Sequence, residues 1–379
     1  MAESFQAQAI VSHGPLPDGW KIESVTTTPD VKDDEIVVEM VASGICHTDV
    51  LFGSLPAGAP MAFYPRVMGH EGSGYVRALG SSVTSVKVGD PVLLSYTYCS
   101  SCHACRGKNL SYCEQFVPLN FGGRPTFKNA SGEDIPGSFF GQSSFASYSV
   151  VRESSVVNVK DVVKDKQELA LFAPLGCGIQ TGSGTVVNAA AAGKEDVIVV
   201  TGLGGVGLSA IMGAKIVGAR IIVGVDRVEK RLGLAKELGA THVVDTSKLP
   251  EGKTVVDVIR DICDGVGATV AVETTGVPAL IKAAVEYTRA KGQVLQVGSA
   301  PPDFKLEVEC FGYMVSGKSY RGVIEGESNA PEYVPKMIQW YREGRFPLDK
   351  IVKFMDAKEF DKGLHEMHTG ETIKPVILW

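Results

Sequence analysis

Six of the eight cysteines in this chain occur in two arrangements that bound metal ions would explain. The compact arrangement places Cys99, Cys102, Cys105 and Cys113 in one short segment. Four thiolates complete the tetrahedral shell of a zinc ion, and a complete shell leaves no position for water or substrate. The segment is therefore predicted to be a loop that a structural zinc organises.

Disulfide bonds are the alternative explanation for the compact arrangement. The chain begins Met-Ala-Glu-Ser, with no basic stretch leading into an apolar segment. No export signal is therefore expected, and the cysteines should stay reduced. His103 lies inside the segment and could replace one cysteine, but four thiolates already suffice, so a solvated loop residue is expected.

Cys46, His70 and Cys177 form the dispersed arrangement. Each is weak evidence alone, because a single cysteine is more often a small buried hydrophobe and a single histidine an ordinary polar residue. Together, two thiolates and one imidazole would occupy three positions on zinc and leave the fourth open, as catalytic zinc sites do.

The chain changes its hydrophobic pattern between residues 161 and 166. Residues 8–150 show short alternating apolar runs broken by Gly and Pro, which predict a β-rich domain. After residue 166, apolar runs alternate with helical segments, as in βαβ units on a parallel sheet. Six strands are predicted there, the number that a doubly wound dinucleotide-binding fold needs: 197–201, 221–226, 242–245, 269–273, 293–297 and 320–324. Helices are predicted at 205–217, 228–238, 254–263 and 279–290, and a tail helix and strand at 333–342 and 374–379.

A glycine-rich loop follows the first of these strands. Gly202, Gly204 and Gly207 have the spacing G-x-G-x-x-G, with Gly205 and Val206 opening the next helix. Backbone N–H groups and a helix N-terminus at such a loop suit a pyrophosphate, although glycines also serve in simple turns.

Asp226 ends the next predicted strand, where a carboxylate would accept hydrogen bonds from the hydroxyls of the adenosine ribose. The phosphate of NADP would meet this negative charge, so NAD is the predicted cofactor. Arg227 keeps NADP open as the alternative.

These features together resemble the zinc-dependent medium-chain alcohol dehydrogenases, on the sequence Gly-His-Glu-Gly-Ser-Gly at 69–74, the four-cysteine loop and Cys177. The resemblance runs nearly end to end. Residues 140–146 and 175–184 look most like the aryl (benzyl) alcohol and glutathione-dependent formaldehyde dehydrogenase branches, with the aryl branch closest. The resemblance implies an α/β fold: a β-rich GroES-like catalytic domain with both zinc sites at 1–165 and 326–379, and a doubly wound Rossmann NAD-binding domain at 166–325.

The resemblance also implies roles for single residues. Thr48 would be the first proton acceptor, Asp49 would orient His70, and Glu71 would face the zinc from behind. Cofactor contacts are implied for His47 and Lys374 at the pyrophosphate, Arg231 at the ribose, and Thr181, Val297, Gly298 and Ser299 at the nicotinamide. A turn residue, ordinary loop acids and solvated surface cations remain the alternatives, since exposed Lys and Arg usually bind nothing specific.

The predicted function is reversible oxidation of a primary aromatic or allylic alcohol by NAD(H), with two Zn²⁺ per chain. Glutathione-dependent formaldehyde oxidation would need cations to hold a glutathione carboxylate, and residues 53–60 contain none. A catalytically silent dinucleotide-binding regulatory protein is the other alternative, and the complete set of zinc ligands with Thr48 argues against it.

The charge and hydropathy of the chain argue against a nucleic-acid or membrane partner. The net charge is −6, and Lys and Arg are interspersed with acids, so no nucleic-acid surface is expected. No apolar run is long enough to span a bilayer, and a cytoplasmic location is expected.

The last strand of the parallel sheet, at 320–324, could pair across subunits, which predicts a homodimer or homotetramer.

One position departs from the family pattern. Many members carry a histidine three residues after the hydroxyl residue to pass the proton to solvent, whereas this chain has Leu51. We expect a proton relay that ends at the cofactor ribose and water, with Leu51 adding apolar wall for a bulky substrate. Leu51→His should change the pH dependence of alcohol oxidation, measured as kcat/KM against pH; an identical profile would contradict a limiting role for this position.

Overall fold

The computed structural model of the chain describes residues 4–17, 19–28 and 31–379. These form two compact units. The first comprises Met1–Cys177, Asn329–Gln339 and Leu348–Trp379, and the second Gly178–Ser328 and Trp340–Pro347. The predicted functional domains, 1–165 with 326–379 and 166–325, remain a prediction.

Eighteen strands are present in the described residues. In chain order they are β1 Gln6–Ser12, β2 Trp20–Thr27, β3 Glu35–Gly44, β4 Arg66–Val67, β5 Gly72–Leu79, β6 Pro91–Leu94, β7 Pro125–Lys128, β8 Asp134–Pro136, β9 Tyr148–Arg152, β10 Val156–Asn158, β11 Val197–Thr201, β12 Ile221–Asp226, β13 His242–Asp245, β14 Ala268–Glu273, β15 Thr288–Gln296, β16 Ser319–Gly322, β17 Val352–Asp356 and β18 Lys374–Leu378.

The same part of the chain contains twelve α-helices. They are α1 His47–Gly53, α2 His103–Arg106, α3 Phe116–Phe121, α4 Lys166–Leu171, α5 Gly178–Gly184, α6 Gly205–Val217, α7 Glu229–Leu238, α8 Val255–Ile262, α9 Pro278–Tyr287, α10 Cys310–Ser316, α11 Ala330–Arg342 and α12 Phe360–Thr369. None of the helices described is long and apolar enough to cross a bilayer.

The second unit is built on a six-stranded parallel sheet in the order β13-β12-β11-β14-β15-β16. This order reverses between β11 and β14, as it does in doubly wound dinucleotide-binding folds. The predicted six strands are confirmed, and three of them have the predicted bounds. Strands β11 and β14 are buried along their whole length, because helices cover both faces of a parallel sheet.

The helix predicted at 279–290 ends earlier, at Tyr287. Thr288 is already extended, with φ −73° and ψ 131°, and its hydroxyl donates to the carbonyl oxygen of Ala284 at 2.6 Å. That bond satisfies one of the carbonyls that a helix end leaves open, so the chain can turn into β15 there.

The first unit holds two sheets. One has five strands in the order β4-β1-β2-β7-β8, and the other has seven, in the order β10-β6-β5-β3-β18-β17 with β9 also paired to β3. The C-terminal strand β18 runs antiparallel to β3, with Val376 opposite Gly44. The predicted tail strand is therefore confirmed, and it carries Lys374 to the end of β3 where helix α1 begins.

One of the buried polar contacts in the second unit involves the hydroxyl of a large core residue, Tyr287. Tyr287 is 1% exposed, and its hydroxyl lies 3.1 Å from Oγ1 of Thr201, which is also buried. A buried hydroxyl without a partner is costly, so this contact lets the phenol fill the space beneath the sheet.

Removing the Tyr287 hydroxyl tests this contact. Tyr287→Phe should lower the free energy of unfolding by about 1 kcal/mol, because Thr201 loses a buried partner. Thermal and urea unfolding measure the change. Tyr313→Phe, at a half-buried residue outside the core, is the control and should leave stability unchanged; equal effects of both variants would contradict the interpretation.

Candidate active site

The compact cysteine cluster lies in the loop that contains the short helix α2. The sulfur atoms of Cys99, Cys102, Cys105 and Cys113 all lie within 4.8 Å of one another. None of the four is in a disulfide. Their separation fits four thiolates around one zinc, whose Zn–S bonds are about 2.3 Å long.

Backbone N–H groups of the loop point at these sulfurs. Cys102 N donates to Cys99 Sγ at 3.3 Å, Cys105 N donates to Cys102 Sγ at 3.4 Å, and Gln115 N donates to Cys113 Sγ at 3.3 Å. Such bonds, chiefly with the backbone at Ser101, lower the pKa of Cys99 to about 6. Burial raises the pKa of Cys105 to about 12 and also raises that of Cys113, so without a metal the loop favours the thiolate form only at Cys99 and Cys102.

The dispersed cysteine and histidine residues also come together. Cys46 is the N-cap of helix α1, His70 and Glu71 precede strand β5, and Cys177 follows a short 3₁₀ turn, Ala173–Gly176. Ligand atoms of these four residues lie within 4.8 Å of one another, and all four side chains are buried. The structure thus brings the three predicted catalytic ligands to one point and adds the carboxylate of Glu71 beside them.

Asp49 fixes the orientation of the His70 ring. Its Oδ1 lies 3.0 Å from His70 Nδ1 and accepts from Gly69 N at 3.2 Å, while its Oδ2 accepts from Cys46 N at 3.0 Å. The other ring nitrogen, His70 Nε2, is buried and has no hydrogen-bond partner among the described residues. A buried imidazole nitrogen without a partner, facing two thiols, fits a zinc ligand.

The carboxylate of Glu71 is held by Lys374, the first residue of strand β18. Lys374 Nζ donates to Glu71 Oε1 at 2.8 Å and to the carbonyl oxygen of Ile45 at 3.1 Å. A Cβ atom at Gly44 would lie 2.0 Å from Glu71 Oε2, so the acid fits only because this residue is glycine. Lys374 is 4% exposed, and its predicted pyrophosphate contact stays a prediction.

The electrostatics of this cluster favour a cation. A hydrogen bond with Cys177 lowers the pKa of Cys46 well below its ordinary value, against the opposing effect of burial. Burial lowers the pKa of His70, but Asp49 and Cys46 together raise it more, so the net pKa lies above the ordinary value. Burial raises the pKa of Glu71 to about 7, although Lys374 opposes this. A zinc ion would supply the positive charge that the sulfurs attract.

Two residues of this site are not among the predicted site residues. The buried amide of Gln142 donates to the carbonyl oxygens of His70 and Ser95, at 2.9 and 3.1 Å, and accepts from Gly72 N at 3.1 Å. The ring of Phe140 stacks on the His70 ring at 4.5 Å between centroids. Both lie in the segment 140–146 that marks the family branch, so the sequence carries the signal but does not reveal its physical role.

Three further residues of helix α1 lie at its start and outer face. Thr48 is half-buried, His47 is exposed, and Leu51 is 50% exposed. Their roles in proton transfer and cofactor contact stay predictions.

The glycine-rich loop of the second unit has the shape that a pyrophosphate needs. Gly202 has φ of 88°, in the left-handed region, and a Cβ atom at Gly207 would lie 1.8 Å from the Gly202 carbonyl oxygen. A Cβ atom at Gly204, the N-cap of α6, would meet nothing within 4 Å. Gly205 and Val206 form the first turn of α6. The loop therefore packs tightly on one side and is open at the helix N-terminus, where an anion fits.

Asp226 ends β12 beside this loop. Its Oδ2 accepts from Leu203 N at 2.7 Å, and its Oδ1 accepts from Val228 N at 3.0 Å. Arg231 Nη1 lies 3.9 Å from the same carboxylate. These contacts hold the acid at the carboxyl end of the sheet, where the ribose of a dinucleotide would lie.

Residues 297–299, which are predicted to contact the nicotinamide, follow strand β15 in the other half of the parallel sheet. The N–H groups of Val297 and Gly298 both donate to the carbonyl oxygen of Glu273 at 2.9 Å, and Ser299 is exposed. The hydroxyl of Thr181, on helix α5, donates to Glu325 Oε2 at 3.4 Å.

Comparison with known proteins agrees with this architecture. The family model "Zinc-binding dehydrogenase" matches residues 205–343, and "Alcohol dehydrogenase GroES-like domain" matches residues 32–161. Geraniol dehydrogenase of Castellaniella defragrans is 36% identical over 353 residues, which cover 92% of this chain and 91% of that protein.

Two crystal structures are similar over nearly the whole chain. An alcohol dehydrogenase zinc-binding domain protein from Burkholderia ambifaria has a TM-score of 0.92, and benzyl alcohol dehydrogenase from Acinetobacter calcoaceticus has 0.89. Each is 36% identical and covers 99% of both chains. The fold and the match to both family models define an oxidoreductase with a GroES-like and a Rossmann-like domain. The chain belongs to the zinc-dependent medium-chain alcohol dehydrogenases.

Serine substitutions separate the two predicted zinc sites. Cys102→Ser and Cys177→Ser should each reduce the zinc content by one ion per chain, measured by plasma mass spectrometry. Cys102→Ser should also lower the unfolding temperature, because the loop depends on its metal. Cys177→Ser should abolish alcohol oxidation with a smaller effect on that temperature. Cys310→Ala, at an exposed cysteine outside both clusters, is the control; full zinc content in Cys102→Ser would contradict the structural assignment.

Proposed function

We propose that this protein oxidises primary aromatic or allylic alcohols reversibly to aldehydes, with NAD(H) as cofactor and two Zn²⁺ per chain. The observation that carries the proposal is the buried group of Cys46, His70 and Cys177, in which His70 Nε2 has no hydrogen-bond partner within the described chain. The names of two relatives, geraniol dehydrogenase and benzyl alcohol dehydrogenase, support an allylic or aromatic substrate.

Aromatic side chains next to the metal ligands support this substrate class. The Phe139 ring packs edge-on against His70, with centroids 5.4 Å apart, and the Phe52 ring stacks on Phe121 at 4.7 Å. The Phe52 and Phe139 rings also meet edge-on at 5.6 Å. Rings held in this way offer faces and edges to another π system, and such contacts add to the binding that apolar area alone gives.

Different residues of the first unit would bind the metal, orient its ligands and transfer the proton. Cys46, His70 and Cys177 would hold a zinc that, when bound, acts as a Lewis acid on the alcohol or carbonyl oxygen. Asp49 keeps the His70 ring in place, and Thr48 would accept the alcohol proton and pass it on. Glu71 and Lys374 form a buried ion pair beside the ligands, so this acid is held close to the metal position without being exposed to water.

The residues of the second unit would hold the cofactor, which supplies the hydride acceptor when bound. The open side at Gly204 and the N-terminus of α6 would take the pyrophosphate. The carboxylate of Asp226 favours the free ribose hydroxyls of NAD over the phosphate of NADP. We assign Arg231 and residues 297–299 of this unit as further contacts on the resemblance to the family.

We propose a homo-oligomer that assembles in the cytoplasm through the edge of the parallel sheet. Strand β16 is the last strand of that sheet. Helix α10, which precedes it, exposes Phe311, Met314 and Val315, which are 70%, 68% and 68% exposed. Apolar side chains so exposed beside the edge of a sheet favour contact with a second copy.

The proposal is tested by zinc content and turnover of the purified protein. We expect two zinc ions per chain, and NAD reduction, followed by the absorbance of NADH, with benzyl alcohol and geraniol. Cyclohexylmethanol has the size of benzyl alcohol without its π system and should show a kcat/KM lower by roughly threefold to tenfold. NADP should be a poorer acceptor.

Two other outcomes would redirect the interpretation. Formaldehyde oxidation that requires glutathione would favour the glutathione-dependent activity. One zinc ion and no turnover, across alcohols and aldehydes with both cofactors, would favour a catalytically silent dinucleotide-binding protein.

A further inference from the structure

The turn after strand β16 contains a buried acid that the chemistry above does not use. Glu325, Gly326 and Glu327 have φ of 52°, 62° and 50°, all in the left-handed region. Glu325 is 5% exposed. Non-glycine residues rarely adopt this conformation, and they keep it only where the surrounding structure fixes it, often at ligand-binding sites.

Contacts within the second unit hold this turn on both sides. A Cβ atom at Gly326 would lie 2.5 Å from the carbonyl oxygen of Gln180, so the turn touches the backbone of helix α5. Asn188 Nδ2 donates to the Gly326 carbonyl oxygen at 3.3 Å. Arg321 Nη1 donates to Glu327 Oε1 at 2.7 Å. The direction of the Glu325 side chain is therefore set by packing.

The carboxylate of Glu325 accepts from two side chains of helix α5. Its Oε2 accepts from Gln180 Nε2 at 3.0 Å and from Thr181 Oγ1 at 3.4 Å. Both partners donate, which is the arrangement that an ionised carboxylate accepts. These bonds hold the carboxyl group of Glu325 next to the hydroxyl of Thr181.

The order of the strands shows which half of the dinucleotide lies nearest. The glycine-rich loop and Asp226 follow β11 and β12, which form the adenosine half of a doubly wound fold. Strands β14, β15 and β16 form the other half, whose carboxyl ends take the second nucleotide. Glu325 lies shortly after Gly322, the last residue of β16, and so belongs to the carboxyl end of this second half.

We propose that Glu325 places a fixed negative charge at the nicotinamide end of the dinucleotide site and thereby favours the oxidised cofactor. The oxidised ring carries a positive charge and the reduced ring is neutral, so the carboxylate attracts only the first. For charges within about 10 Å at an effective dielectric constant near 20, Coulomb's law gives a preference on the order of tenfold. The inference rests on the NAD(H) function proposed above, and its consequence is a bias toward alcohol oxidation on the enzyme.

The test compares dissociation constants for NAD⁺ and NADH, measured by calorimetry on zinc-replete enzyme without alcohol. Glu325→Gln keeps the size of the side chain and an acceptor for both donors but removes the charge. We expect its Kd for NAD⁺ to rise on the order of tenfold and its Kd for NADH to stay within about twofold.

Glu325→Asp is the matched control, because it keeps the charge and shortens the side chain. It should keep the wild-type ratio of the two constants. A merely structural role would move both constants together, and more so in the Asp variant, whose reach to Gln180 and Thr181 is reduced. Equal changes for NAD⁺ and NADH in Glu325→Gln would overturn the proposal.

If Glu325→Gln does not fold, the dissociation constants of the wild type for NAD⁺ and NADH test the proposal. The wild-type Kd for NAD⁺ should then be no higher than its Kd for NADH, and NADH bound more than about tenfold more tightly would overturn the proposal. Failure of the NAD(H) function itself has a different signature, since the wild type would bind neither cofactor.

Discussion

The candidate metal site depends on one buried carboxylate. Asp49 is fully buried, and it accepts from the backbone of Cys46, from the backbone of Gly69 and from the His70 ring. A buried charge is costly unless several donors satisfy it, so these three bonds compensate that cost and join segments that are distant in sequence. One residue thereby fixes the start of helix α1, the turn before β5 and the ring that would bind zinc.

Around this carboxylate the β-rich unit supplies a rigid frame. Strand β3 ends at Gly44, two residues before Cys46, and its neighbours β5 and β18 bring Glu71 and Lys374 to the same end of the sheet. Gln142 ties His70 and Ser95 together from a loop. Because strand ends, a helix start and buried hydrogen bonds position these ligands, the site needs little rearrangement to take up a metal, which is what preorganised catalytic sites share.

The sequence predicts a large part of this organisation. The spacing of Cys99, Cys102, Cys105 and Cys113 is local, so a shared site follows without knowledge of the fold. The inner strands β11 and β14 of the parallel sheet can be recognised from their apolar runs, because both of their faces are buried. The helix predicted over 279–290 is too long, because periodicity alone does not show that the Thr288 hydroxyl caps a helix carbonyl.

Other features depend on contacts between segments far apart in the chain. Local spacing and hydrophobic period are enough to indicate the ligand types, the glycine-rich loop and the two kinds of domain. Three contacts are visible only in the folded chain: Lys374 pairs with Glu71, Phe140 stacks on His70, and Glu325 bonds to helix α5. The first and last of these contacts join residues 303 and 145 positions apart. No local pattern encodes the packing that brings such distant segments together.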